Sequence, residues 1–538
     1  MKSASGAHGQ PDGEVVGACG HMVLMPIVTK KLVSQCPVEE LSISKDASLI
    51  YWIELHPNPS APNQVTQTVI LSNIVQNDHA AKAKERAAEY LRTFSDQYLD
   101  RSMTRHPSGS GSVEDLKLQA QRALQTGIRS LVHAERKMLQ DESTVGETGL
   151  QEGDVLTAVA RPVLVWSSPA GSAFAVSRSD GFVFTWGLSM YGGDSSAVKD
   201  QLWHVKHVCV GDGASAAVRE DGTVITWGDD SEGGDSSKVS HDLHEIREVK
   251  ASHSAFAALR SDGEVISWGA GNFGGLCLLP RDQIRNVKQV ESSYAAFAAI
   301  RDDGSVVAWG DERSGGDCSK CKRHLVGVVR ISSTSTAFAA VTSRGQVVTW
   351  GDRMMGADSS SVADKLQNVQ SVEGSTGAFA ALRKDGTVVT WGPAAYGGDS
   401  RKVQEQLYDI QLLRGSVRAF AALRQDGSVI TWGDAAFGGS SDSIQHMLSD
   451  VQDLRASHAA FAALRADGRV VAWGDDAYGG CCQEAEEELY SVQEIHACKA
   501  AFAALRADGL VITWGDQAFR GDMTQIHEQL QSLIFKQV

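Results

Sequence analysis

The sequence has few of the features that mark secreted, membrane-spanning or disulfide-stabilised proteins. Its nine cysteines are odd in number and irregularly placed among 538 residues, unlike the cysteines of a disulfide framework. The first residues lack the apolar core of a signal peptide. The longest apolar run, near Val155 to Trp166, is too short to span a bilayer and contains Arg161. We therefore expect an intracellular protein of the cytoplasm, or alternatively of the nucleus, with no membrane partner.

Basic residues are also scarce. The chain has 50 Lys and Arg against 66 Asp and Glu, which gives a formal net charge of −16. Residues 162–538 are more acidic than the rest, with 34 basic and 47 acidic side chains. Because proteins bind nucleic acids by neutralising phosphates with Lys and Arg, this balance disfavours a nucleic-acid partner.

Motifs for catalysis and for cofactors are equally few. The sequence has no nucleophile elbow, no zinc-protease helix motif, no kinase signature and no dinucleotide fingerprint, and its Gly-Gly loops lack the lysine of a P-loop. Residues 20–160 contain no enzyme motif either. We therefore predict a protein that is not an enzyme and needs no cofactor.

Two patterns resemble metal sites, but each has a simpler explanation. Cys318 and Cys321 have metal-ligand spacing without a second pair, and Cys277, Cys318 and Cys482 occupy the repeat position that Ser195 holds. A change from serine to cysteine in an exposed loop accounts for them. The recurring aspartates would be spread over successive units, whereas calcium needs six to eight oxygens at one point. We predict turn and helix capping for these aspartates, and no metal.

What the sequence has in abundance is one repeated unit. A tryptophan recurs every 41 residues, at positions 186, 227, 268, 309, 350, 391, 432, 473 and 514. Asp-Gly precedes it at a fixed distance in eight copies, and Arg344-Gly345 stands there in the fifth. Phe opens the preceding apolar run in eight copies, and Ser215 replaces it in the second. A fixed period of this length predicts a repeat architecture.

Each unit predicts a β-hairpin with two apolar faces. In the eighth copy, the apolar run from Phe461 and the run from Val470 flank Asp467-Gly468, a sequence typical of a tight turn. Apolar residues fall on both faces of both strands, so neighbouring sheets should cover each sheet on both sides. A short amphipathic stretch and a third strand complete the unit. We predict three short strands and one turn of helix per repeat.

These residues carry a family resemblance. The pattern Ala-Phe-Ala-Ala-Leu-Arg-x-Asp-Gly-x-Val-x-x-Trp-Gly-Asp-x-x-x-Gly-Gly resembles the repeats of the regulator-of-chromosome-condensation family. It is similar also to the shorter, three-stranded repeats of β-lactamase inhibitor protein II. The resemblance implies a mainly β fold, a β-propeller-like array that is usually seven-bladed.

Nine units exceed the usual number of propeller blades. Strand-like segments also stand at both ends of the array, at Leu164-Val165-Trp166 and Leu533-Ile534-Phe535, which is one more than nine units need. We therefore favour a closed ring and keep an open superhelix as the alternative.

The rest of the chain predicts a small α+β region before the array. Residues 1–20 are Gly-rich and are predicted to be flexible. Residues 21–76 predict a β-rich module with strands at Met22–Val28, Ser48–Leu55 and Val65–Ile74 and a Pro-rich loop at 56–59. Residues 77–141 predict a helical hairpin, with helices from Asp78 to Tyr98 and from Ser112 to Gln140. Residues 142–163 form a connector, and the nine repeats occupy 164–538.

One position of the repeat varies while its neighbours stay constant. It lies just before the hairpin and reads Gly171, Asp212, His253, Tyr294, Ser335, Thr376, Val417, His458 and Lys499. A varied loop position on a rigid frame suits recognition of a protein, although neutral drift would give the same variety. His253 and His458 have no second ligand nearby in sequence, which favours loop residues over metal ligands.

These observations predict a non-enzymatic scaffold for protein–protein interaction. The alternative implied by the resemblance is a regulator, acting in guanine-nucleotide exchange on a small GTPase or in substrate recognition for a ubiquitin ligase. The units are short, with no insertion long enough to act as an exchange wedge, and we expect no catalytic cysteine domain of a ligase.

Overall fold

The computed structural model describes residues 163–526 apart from 179–181 and 523, and before them residues 50–58, 61–72, 128–133 and 155–160 with single positions between 113 and 150. Four predictions fall outside these residues: the flexible segment 1–20, the strand Met22–Val28, the helix from Asp78 to Tyr98 and the strand-like segment 533–535. No helix in the described part of the chain is both long enough and apolar enough to cross a membrane.

The N-terminal part contains a four-stranded sheet. Its strands, in spatial order, are Ala61–Ser72, Ile50–Asn58, Val155–Ala160 and Ile128–His133. The strands Ala61–Ser72 and Ile50–Asn58 belong to one compact unit, and the repeat array belongs to a second unit, which also includes residues 128–131.

Two predictions for this region are wrong in detail. Ile50–Asn58 continues as a strand through most of the predicted loop 56–59, with a shift of register between Pro57 and Asn58. Ile128–His133 forms a strand inside the range predicted as the second helix. The β-branched Ile128 and Val132 suit a strand, and pairing with Val155–Ala160 satisfies the backbone there.

Each repeat forms its own three-stranded antiparallel sheet, in which the strands follow the order of the sequence. The first strands are Leu164–Ser167, Val205–Val210, Ile246–Ala251, Val287–Ser292, Val328–Ser333, Val369–Gly374, Ile410–Gly415, Val451–Ala456 and Val492–Ala497. The second strands are Ala173–Ser177, Ala214–Arg219, Ala255–Arg260, Ala296–Arg301, Ala337–Thr342, Phe379–Arg383, Ala419–Arg424, Ala460–Arg465 and Ala501–Arg506. The third strands are Val183–Gly187, Val224–Gly228, Val265–Gly269, Val306–Gly310, Val347–Gly351, Val388–Trp391, Val429–Gly433, Val470–Gly474 and Val511–Gly515.

Short helical turns join each third strand to the next sheet. The 3₁₀ turns are Ser189–Tyr191, Ser196–Gln201, Asp230–Glu232, Ser237–Val239, Gly271–Phe273, Glu312–Ser314, Ser319–His324, Arg353–Met355, Ser360–Val362, Ala394–Tyr396, Gln404–Gln406, Ala435–Phe437, Gln445–Met447, Asp476–Tyr478 and Gln483–Ala485. After the ninth sheet the corresponding turn is α-helical, Gln517–Arg520. The prediction of three strands and a turn of helix per repeat is confirmed.

Tryptophan couples each sheet to the one before it. Within a sheet the tryptophan ring stacks on the phenylalanine of the second strand, with centroids 5.2–5.4 Å apart in eight of the nine sheets. Its Nε1 donates a hydrogen bond of 2.8–3.1 Å to the glycine carbonyl 35 residues earlier, from Trp227 to Trp514. Because this bond joins neighbouring repeats at a fixed separation of 35 residues, it favours a constant repeat length.

The ninth sheet packs against the first. Their first strands lie side by side, and Phe174 and Trp186 share one buried cluster with Ala503 and Leu505. The N–H of Lys499 also donates to the carbonyl of Gly171 at 2.9 Å. The array therefore closes into a ring of nine sheets, as the favoured alternative predicts.

Ser215 is an irregularity in this core. It replaces the usual phenylalanine, is fully buried, and its hydroxyl has no hydrogen-bond partner among the described residues. We expect Ser215→Ala to raise the free energy of unfolding by about 1 kcal/mol, because it removes a hydroxyl that lost water without gaining a partner.

A matched control is Ser457→Ala. The Ser457 hydroxyl donates to the Tyr478 carbonyl at 2.8 Å and accepts from the Ala460 N–H at 3.1 Å. This substitution should lower the free energy of unfolding by about 1 kcal/mol. Denaturant titration of both variants checks the pair, and an equal loss in both would show that the Ser215 hydroxyl is satisfied.

Candidate interaction face

The varied residues, here called the loop residues, form a ring of their own. Each lies between the first and second strands of its sheet, and backbone N–H groups link neighbouring loop residues through carbonyl oxygens at 2.9–3.1 Å. These bonds run from His253 to Tyr294, Ser335, Thr376, Val417, His458, Lys499 and then Gly171. Asp212 joins this ring through its side chain rather than its backbone. The structure brings together at one edge of the array all eight residues predicted to bind a protein: Asp212, His253, Tyr294, Ser335, Thr376, Val417, His458 and Lys499.

A second set of side chains borders this ring. The turn after each third strand lies at the same edge, because the third strand runs antiparallel to the second. The residue five positions after each tryptophan lies in this turn and is here called the turn residue; it is Tyr191, Glu232, Phe273, Ser314, Met355, Tyr396, Phe437, Tyr478 or Phe519. Loop and turn residues together form what we call the loop-and-turn face.

Hydroxyl groups fix the two sets to each other. Six of them donate to the carbonyls of turn residues at 2.7–2.9 Å, namely those of Ser252, Ser293, Thr334, Ser375, Ser416 and Ser457. Sequence reasoning missed both the hydroxyls and the turn residues as parts of a site. The sequence did contain a pattern that could have indicated them, because a Ser or Thr precedes the turn residue by 21 positions in six repeats.

Aromatic contacts dominate much of the face. His253 stacks on Tyr294 with centroids 4.4 Å apart, and Phe273 lies 5.6 Å from the same tyrosine ring. His458 lies parallel to Tyr478 at 6.5 Å. Burial, together with the charge of the neighbouring Lys499, lowers the pKa of His458 to about 4. His458 is therefore neutral at neutral pH.

Asp212 joins four sheets where the ring of backbone bonds is interrupted. Its carboxylate accepts hydrogen bonds from the Ser172 hydroxyl and from Nδ1 of His253, both at 2.8 Å, and Lys499 Nζ lies 3.4 Å away. Burial by itself raises the pKa of Asp212, but the bonds from His253 and Ser172 and the charge of Lys499 outweigh it and hold the pKa at about 2. The ionised carboxylate thus links the ninth, first, second and third sheets.

This depressed pKa predicts a pH dependence. A carboxyl group whose pKa is lower in the folded protein stabilises it above its ordinary pKa and loses that contribution as the pH falls towards the folded value. Asp212 should therefore contribute about 2 kcal/mol that disappears between about pH 4 and pH 2. Asp212→Asn should flatten the unfolding free energy over this range, as denaturant titrations at several pH values would measure. An unchanged slope would contradict the assignment.

The cysteines and aspartates singled out in the sequence occupy structural positions. The expectation of an exposed loop is wrong for Cys318, which is buried in the apolar core between sheets, and Ser195 is also buried at the same repeat position. The Cys321 thiol donates to the Cys318 carbonyl at 3.3 Å. Burial raises the pKa of Cys321 to about 11. In residues 163–526, with the other described positions, no group of three or more His, Cys, Asp or Glu could hold a metal.

The aspartates after Trp-Gly cap the turns that follow them. Their carboxylates accept from backbone N–H groups two or three residues on, at 2.8–3.0 Å, as seen at Asp229, Asp311, Asp352, Asp434, Asp475 and Asp516. The prediction of capping by these residues is confirmed.

Among known protein families, the regulator of chromosome condensation (RCC1) repeat matches residues 205–233. A search of curated proteins found no match. Among solved structures, Prp20p from Saccharomyces cerevisiae is similar at 17% identity over 47% of this chain and 80% of that one, with a TM-score of 0.32. The CRINKLY WD40 ectodomain of the Arabidopsis thaliana receptor kinase ACR4 is also 17% identical, over 51% and 97%, with a TM-score of 0.32. Human WBSCR16 is 16% identical, over 49% and 75%, with a TM-score of 0.29.

The matched segment lies within the second repeat, and the tryptophan spacing of that repeat recurs in the other eight. The repeats of the array therefore resemble the RCC1 repeat.

Proposed function

We propose that this protein is a non-enzymatic, intracellular scaffold that binds a protein partner through the loop-and-turn face. The observation that supports this most is the contrast between constant frame residues and varied loop residues within one array. The frame residues must satisfy packing and hydrogen bonds, whereas side chains at the loop positions differ in size, charge and polarity from sheet to sheet. Such variety on one continuous edge suits recognition of a large, irregular surface.

Composition supports the same proposal. The turn residues include six aromatic rings and a methionine, and Tyr294 is 48% exposed. Tyr, Phe, Met and Arg are enriched in the cores of protein interfaces, where they fill pockets on the partner.

Rigidity supports it as well. Backbone bonds hold the loop residues to one another, and buried hydroxyls hold the loops to the turns. A surface that is already ordered loses little conformational freedom on binding, which favours affinity.

Photo-crosslinking within one sheet tests the proposal. Tyr294 and Asp302 lie at opposite ends of the second strand of the fourth sheet, and both are exposed. A photoreactive phenylalanine analogue at Tyr294 should crosslink the full-length protein to a partner in cells, whereas the same analogue at Asp302 should not. Equal crosslinking from both positions, or from Asp302 alone, would overturn the choice of face.

Guanine-nucleotide exchange is the second candidate, because the repeats resemble the RCC1 repeat. The connections between sheets in residues 182–522 are short turns without a long insertion. Nucleotide release should therefore stay at its spontaneous rate when the protein is added to a panel of small GTPases. Acceleration on any member would replace the scaffold proposal by exchange. Substrate recognition for a ubiquitin ligase would instead appear as a ligase subunit crosslinked from Tyr294.

A further inference from the structure

The seventh sheet shows how this face holds a guanidinium group. Arg418 follows the loop residue Val417, and its guanidinium carbon lies 4.9 Å from the ring centroid of Phe437 and 5.7 Å from that of Tyr396. These two rings are turn residues of neighbouring sheets. The arginine also has an acidic neighbour, since its Nη1 lies 3.7 Å from Asp434 Oδ2. Two aromatic rings and one carboxylate thus surround a single arginine.

The same frame recurs twice without an arginine. Between the seventh and eighth sheets the rings are Phe437 and Tyr478, and Ala459 takes the position of Arg418. Between the eighth and ninth sheets the rings are Tyr478 and Phe519, and Ala500 takes that position. All three rings are only partly buried, so each retains an accessible surface.

The acidic component is also repeated. Asp434 accepts the backbone N–H of Ala436 through Oδ1 and faces Arg418 with Oδ2. Asp475 and Asp516 cap their turns through Oδ1 in the same way. Within the described residues, their Oδ2 atoms have no hydrogen bond or ion pair.

We propose that these two places are arginine-binding slots, defined as Phe437–Tyr478–Asp475 and Tyr478–Phe519–Asp516, which take arginine side chains from a basic segment of the protein partner. This proposal rests on the proposed function and names the chemistry of the partner. Guanidinium suits the slots better than ammonium, because a planar group stacks on aromatic faces and is more weakly hydrated.

The charge of the turns that border the loop residues agrees with a basic partner. The four residues after each Trp-Gly contain ten acidic and only two basic side chains. The acidic ones are Asp229, Asp230, Glu232, Asp311, Glu312, Asp352, Asp434, Asp475, Asp476 and Asp516, and the basic ones are Arg313 and Arg353. An arginine-rich segment would be attracted to this surface before it reaches the slots.

The test measures binding of synthetic peptides to the full-length protein. One series carries two arginines separated by Gly-Ser spacers of increasing length, and the matched series carries two lysines. Calorimetry at physiological salt should show that the best arginine peptide binds about three- to tenfold more tightly than its lysine counterpart. Equal affinity for both series would overturn the slots, because it would mean general attraction to negative charge.

Variants fill or open the slots. Ala459→Arg and Ala500→Arg should each place an arginine where Arg418 lies in the seventh sheet, and together they should abolish the preference for arginine. Arg418→Ala should open a third slot and add binding of one more arginine.

Tyr478→Leu removes the ring that both slots share while keeping an apolar side chain, so it tests the proposal if the arginine variants fail to fold. Unchanged arginine preference in Tyr478→Leu would overturn it.

The crosslinking experiment separates this inference from the proposed function. If the slots exist, filling both should weaken partner capture from Tyr294. Undiminished capture would overturn the slots and leave the scaffold standing, whereas absence of any capture from the wild-type face would count against the scaffold itself.

Discussion

Trp350→Ala is expected to lower the unfolding free energy of the fifth sheet by about 3–5 kcal/mol. Trp350 is only 6% exposed, and its ring stacks on Phe338 with centroids 5.2 Å apart. Its Nε1 also donates to the Gly315 carbonyl at 2.9 Å, which ties the fifth sheet to the turn after the fourth. The substitution therefore creates a cavity and leaves a buried carbonyl without its donor, and both effects act at the same boundary between sheets.

Because each repeat contacts mainly its neighbours, this loss should be local. Hydrogen exchange should show faster opening of amides in Ala337–Thr342 and Val347–Gly351, with distant sheets little changed. Trp203→Ala is the matched control. Trp203 is 39% exposed and rests under the guanidinium of Arg219, so its removal should cost less than about 1 kcal/mol. A similarly small loss at Trp350 would mean that this ring is not essential to the packing of the sheets.

Much of the array could be predicted because the residues of a single repeat are enough to specify its hairpin. Asp467-Gly468 specifies a tight turn, and the runs around Phe461 and Val470 are apolar on both faces, so a hairpin buried on both sides follows from local chemistry. Nine repetitions then multiply a signal that would be weak in a single copy.

The N-terminal region offered no such repetition. Ile128 and Leu131 fit the apolar spacing of a helix as well as they fit a strand, and only pairing with the distant strand Val155–Ala160 decides between them. A single sequence contains no direct record of that pairing.

The sequence could favour ring closure without deciding it, and it could not show which side chains border the loop residues, for a related reason. The array closes only if the rotations between successive sheets bring Lys499 into hydrogen-bond distance of Gly171. The residues of one repeat do not specify these rotations. The varied loop residues could be identified by their variation. Their position beside the turn residues depends on contacts such as that from the Ser375 hydroxyl to the Tyr396 carbonyl, which join residues 21 positions apart.

Gly438→Ala is expected to lower the unfolding free energy by about 2–5 kcal/mol, through two separate costs. Gly438 has φ +84°, a conformation that alanine adopts only with strain, and an added Cβ would stand 2.6 Å from Cδ2 of Phe461 in the next sheet. Since Phe461 is fully buried, its ring cannot move away without disturbing the stack on Trp473. Gly271→Ala is the matched control, because the nearest atom to its added Cβ would be 3.7 Å away, and its effect should stay within about 0.5 kcal/mol. Denaturant titration compares the two, and equal effects would contradict both costs, the backbone strain at Gly438 and the clash with the ring of Phe461.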